Sequence, residues 1–86
     1  MVITRQILAD QIAAYLRHQI SAPQLVDWAE RQMMEGDFTP ADAQILAQVM
    51  GRLGLADVRE FGLTWDDCER LLRQLGFEAH VEIVTA

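Results

Sequence analysis

The sequence predicts a mainly α-helical fold, a compact bundle of about four helices with a C-terminal β-strand. Four helix-start signals, at Thr4, Ser21, Thr39 and Thr64, each precede an apolar stripe of helical period. Glycines at 36, 54 and 76 stand where three of those stripes end, and residues 77–83 switch to strict apolar–polar alternation.

The first helix is expected over residues 4–18, with Thr4 as its cap. Leu8, Ile12, Tyr15 and Leu16 line one face, and Asp10, Gln11 and Arg17 lie elsewhere. Met1-Val2-Ile3 before it is prone to extended structure. Ser21-Ala22-Pro23-Gln24 has the form of a capping box with proline in the first turn, which opens the second helix. Leu25, Trp28, Ala29 and Met33 form its apolar face, Asp27 and Arg31 an i, i+4 pair, and Gly36 a left-handed stop.

Thr39-Pro40-Ala41-Asp42 repeats the cap-and-proline signal. Ile45, Leu46, Val49, Met50 and Leu53 then mark the third stripe, which Gly54 ends. Gly51 weakens that helix, so either another backbone approaches it closely or the helix bends there. Leu55–Phe61 suits a short helical turn. Thr64 caps the fourth helix, whose first turn collects Asp66, Asp67 and Glu69 at the positive end of the dipole. Its buried stripe reads Trp65, Cys68, Leu71, Leu72 and Leu75, leaving Arg70 and Arg73 outside.

Phe77-Glu78-Ala79-His80-Val81-Glu82-Ile83 has the period of a half-buried strand. A lone strand leaves backbone groups unpaired, so this one pairs with residues 1–3 or with another chain.

At 86 residues the chain is one domain, residues 1–86, and at 51% hydrophobic it can build one core. Its apolar runs are too short to span a bilayer, and its start lacks the pattern of a secretory signal. A single cysteine, Cys68, allows no internal disulfide and suits a reducing, cytoplasmic setting. The net charge of −6 disfavours nucleic acid and anionic membrane, and favours a basic protein partner.

Candidate chemistry is sparse. Glu78, His80 and Glu82 share a strand face at two-residue spacing and are the nearest approach to a metal-ligand set, although solvent-facing polar residues give the same pattern. His18 suits the end of the first helix. Cys68 lies in a helical first turn, where a thiol can be activated, but its apolar stripe and the neighbouring acids act in the opposite sense. The acids at 66, 67 and 69 are what ordinary capping produces. A helix-turn-helix reading with Arg70 and Arg73 on DNA conflicts with the acids between them. No catalytic residue and no cofactor or metal is assigned. Candidate interface residues are Trp28, Met33 and Met34 on the second helix and Val81 and Ile83 on the strand, Met and Trp being favoured at binding surfaces.

Tyr15-Leu16, Gln19-Ile20-Ser21-Ala22-Pro23-Gln24-Leu25 and Trp28-Ala29 resemble the opening of small acidic bacterial immunity proteins, in which a helix, an Ile-Ser turn and a second helix begin the fold. The resemblance covers residues 15–29. It implies a protein that neutralises a basic, nuclease-like toxin through acidic surface, and it carries no binding residue onto this chain. A strand at 77–83 lies outside that all-helical pattern. The expected function is therefore a non-catalytic bacterial interaction domain, possible as a homodimer, with toxin neutralisation as its sharpest form. The alternative is a small metal-binding protein or enzyme using Glu78, His80 and Glu82, or Cys68.

Overall fold

The structure, a computed structural model, describes residues 2–55, 63–80 and 83–85. Its elements in chain order are β1 (Val2–Ile3), α1 (Arg5–Leu16), α2 (Ala22–Glu35), β2 (Asp37–Phe38), a 3-10 turn (Pro40–Asp42), α3 (Ala43–Gly54) and α4 (Trp65–Gln74). The mainly helical, four-helix expectation matches this architecture. Among the described residues, no helix is long and apolar enough to cross a membrane.

Three of the four expected caps form. Thr4 Oγ1 accepts from the Ile7 N–H at 3.2 Å. Ser21 and Gln24 close a reciprocal capping box, and Thr64 and Asp67 close another. Thr39 makes no side-chain cap; its hydroxyl donates to Ile3 O at 3.0 Å and its N–H donates to the same carbonyl at 3.1 Å, which turns the side chain toward β1. The chain therefore enters α3 through the 3-10 turn.

Both α1 and α4 end in Schellman motifs. His18 N–H donates to Tyr15 O and Gln19 N–H to Ala14 O, with His18 at φ 61°. Gly76 N–H donates to Arg73 O and Phe77 N–H to Leu72 O, with Gly76 at φ 91°. The left-handed position that glycine usually holds is thus filled in α1 by a histidine. Gly36, expected to be left-handed, is instead extended at φ −80° and ψ 150°. Its lack of a side chain serves a close approach, since a Cβ there would sit 2.7 Å from Gln32 O and 3.2 Å from Ile3 Cγ1. At Gly51 the reverse holds: among the described residues, and apart from its own helix backbone and chain neighbours, no atom lies within 4 Å of a Cβ added there.

The core gathers apolar residues from every helix. Ile3, Leu8 and Ile12 meet Leu25 and Ala29, Leu46, Val49, Met50 and Leu53, and Cys68, Leu71, Leu72 and Leu75. Among the described residues no polar or charged residue is buried. Ion pairs tie the layers at the rim. Arg5 reaches Asp42 at 3.4 Å, and Arg52 of α3 reaches Asp67 of α4 at 3.2 Å.

The strand expectation needs correction. Residues 2–3 do pair, but in parallel with Asp37–Phe38: Val2 lies opposite Asp37 and Ile3 opposite Phe38. Residues 77–80 and 83–85 form no strand, and Val81 and Glu82 lie outside the described residues. The alternation is nonetheless visible in burial, with Phe77 and Ala79 half-buried against the core and Glu78 and His80 exposed. An extended tail laid on helices buries alternate side chains just as a strand does, without a hydrogen-bonded ladder. The helical turn expected at 55–61 lies, from residue 56 onward, outside the described residues.

Candidate functional site

Two surfaces expose apolar side chains in organised settings. The first is the C-terminal half of α2. Its inner face is fixed by Leu25, Val26 and Ala29, all buried, and Trp28 is half-buried against the core. Asp27, Glu30, Arg31 and Met34, at i, i+3, i+4 and i+7, share the outer face and are exposed. Met34 is 82% exposed and Met33, at the edge of this face, 51%. Among the described residues the expected Asp27–Arg31 ion pair is not among those within 4.0 Å.

Electrostatics at this end lean acidic, with Arg31 of the outer face set against Glu30, Glu35 and Asp37. The last turn of α2 has no basic residue, while Glu35 closes the helix and Asp37 follows one glycine later. Acids there face the partial negative charge of the helix C-terminus, an arrangement that costs about 0.3–1 kcal/mol per charge where a base would stabilise. The result is two exposed methionines with three acids, Glu30, Glu35 and Asp37, and one base, Arg31, around them.

The second surface centres on Trp65. The sequence pattern places this residue in the buried stripe of α4, but as the first residue of the helix it projects past the core and is 39% exposed. Its indole Nε1 donates to Glu69 Oε2 at 3.3 Å. Trp65 and Leu16 together separate two grooves. One, about 590 Å³, is lined by Tyr15, Ile20 and Leu63, with His18 at its edge. The Tyr15 hydroxyl donates to Leu63 O at 3.4 Å and anchors that wall. The other, about 420 Å³, runs along α1 over Ala9 and Ala13, between Leu72 and the tail residues Phe77 and Ala79. The small alanine side chains give this groove its depth. Sequence reading missed both grooves, since they join residues about fifty or more positions apart; the one early signal was the pair Ala9 and Ala13 on a single helical face.

The other sequence candidates stand apart from these surfaces or at their margins. Ile83 is 94% exposed, and Val81 lies outside the described residues. Glu78 Oε2 and His80 Nε2 are 3.7 Å apart on a highly exposed segment, and Glu82 lies outside the described residues. Cys68 is fully buried, and burial, reinforced by the Asp67 carboxylate, pushes its thiol up to about 11. It is protonated at neutral pH, the opposite of an activated thiolate. Asp67 is held below the ordinary aspartate value, first by the Thr64 backbone N–H it accepts and then by the Thr64 hydroxyl and by Arg52 and Arg70.

Compared with known proteins, the chain matches no family model, no curated sequence and no solved structure.

Proposed function

We propose that this chain is a non-catalytic bacterial protein–protein interaction domain that docks a basic partner through the acidic, methionine-bearing end of α2. The observation that carries the reading is the exposure of Met34 and Met33 amid Glu30, Glu35 and Asp37, with no base in the last turn of α2. Folding gains nothing from that arrangement: the acids oppose the helix dipole and the methionines stay in water. A basic partner reverses both terms, neutralising the carboxylates and burying the flexible thioether side chains, which adapt to irregular surfaces. Neutralisation of a basic toxin by occluding its charged surface is the sharpest form of this function, and a reducing cytoplasm is the setting that suits the single cysteine.

Affinity capture from the native host tests it. The wild-type chain should recover a partner of basic surface that elutes with salt. The Glu35→Lys/Asp37→Lys variant, folded by circular dichroism, should lose it. Equal capture by both chains contradicts the reading, as does recovery of no partner.

A further inference from the structure

Sulfur in the described residues falls into two sets. Met50 and Cys68 lie in the core with no exposed surface, and burial holds the Cys68 thiol protonated, raised to about 11. Met34 is 82% exposed and Met33 51%, adjacent in the last turn of α2 and outside the buried core cluster. Met1 lies outside the described residues. Cys68 is the sole cysteine, so an oxidant that elsewhere takes an accessible thiolate finds none on this chain. The thioethers it meets on the described surface are those of the acidic end of α2.

We propose that Met33 and Met34 form an oxidation-sensitive modification site, at which hydrogen peroxide converts the thioethers to sulfoxides and lowers affinity for the basic partner while the fold is kept. This role rests on the reading of α2 as the docking surface. A sulfur lone pair forms the S–O bond as the peroxide O–O bond breaks; the sulfur is oxidised, the peroxide is reduced, and proton transfer lets the second oxygen leave as water. A methionine sulfoxide reductase reverses the step, removing the oxygen as water while a pair of thiols is oxidised to a disulfide.

The fold and the contact feel the added oxygen differently. In the free chain both side chains already meet water, so the sulfoxide is solvated and the core is untouched. Against a partner the same oxygen must lose its water at a contact that gains from a flexible apolar side chain. Glu30, Glu35 and Asp37 keep their charge throughout, so the salt-dependent attraction persists and the loss falls on the closely packed contact.

Peptide mapping by mass spectrometry after graded hydrogen peroxide, on the full chain, tests the site. Met34 and Met33 should gain an oxygen before Met50, with helical circular dichroism unchanged and Cys68 still a free thiol. Calorimetric titration against the salt-eluting basic protein captured from the native host tests the consequence. Oxidation should weaken affinity at least about tenfold with its salt dependence kept, and a methionine sulfoxide reductase should restore it. Met50→Leu, which leaves the exposed pair intact, should respond to peroxide as wild type does. Oxidation of Met50 or Cys68 ahead of the pair, unfolding on oxidation of the pair, or a loss of affinity that the reductase does not restore overturns the proposal. Unchanged affinity of the oxidised chain also overturns it and leaves the α2 reading in place. A wild-type chain that captures no basic partner removes that reading and the switch with it, even where the pair oxidises first.

Discussion

Trp65 Nε1 donates to one oxygen of Glu69 at 3.3 Å while Arg73 holds the other at 2.7 Å, so an exposed indole is fixed through a single carboxylate. Removing that carboxylate by Glu69→Ala should free the ring. In a Trp28→Phe background, acrylamide quenching of Trp65 fluorescence should rise, while stability changes by no more than about 0.5 kcal/mol, as expected for an exposed pair. Unchanged quenching would mean that packing alone positions the ring.

The left-handed His18 stores conformational free energy at the edge of the larger groove. His18→Gly should stabilise the fold by about 1 kcal/mol, because glycine adopts this conformation without the Cβ clash. Urea denaturation measures it. No gain in midpoint would show that His18 makes compensating contacts.

Two glycines should respond oppositely to the same substitution. Gly51→Ala should stabilise by about 0.5–1 kcal/mol, since among the described residues the new methyl meets no atom within 4 Å beyond its own helix backbone and chain neighbours, and helix propensity improves. Gly36→Ala should destabilise by roughly 1–3 kcal/mol, since its Cβ would press on Gln32 O and Ile3, where α2 abuts β1. Thermal unfolding of the two variants checks the sign of each.

Asp67 gives the fold an acid-sensitive element. Its carboxyl is depressed in the folded state, so its contribution is present above the unfolded aspartate value, near pH 4, and is lost as pH falls through the lower folded value. The stability difference between wild type and Asp67→Ala should therefore shrink steadily below pH 4 and stay constant between pH 5 and 7. A difference independent of pH would assign the effect to packing.

The helical part of the fold was legible because its signals are local. The caps at Thr4, Ser21 and Thr64 and the stripes after them depend on residues within one or two turns of each other. Thr39 shows the limit: its cap was overridden by a carbonyl 36 residues away, on Ile3. The tail shows another. Alternation at 77–80 correctly reported one covered face but not what covers it, and period two alone cannot separate a ladder from an extended chain on helices. Asp37–Phe38 had no strand signature, being two residues that pair with β1 directly after Gly36, where a Cβ would press on Ile3. Of the candidate surfaces, Met33 and Met34 could be picked out from residue type and helix position. The Trp65 grooves could not, because they arise where α1, α4 and the tail converge.

The central claim is that the acidic end of α2 binds a basic protein, and calorimetric titration of the captured partner tests it most directly. The account expects affinity for wild type to fall steeply with salt, to drop at least about tenfold for Met34→Asp and further for Glu35→Lys/Asp37→Lys, and to be unaffected by Ala13→Trp. Affinity independent of salt and unmoved by the α2 variants would contradict it.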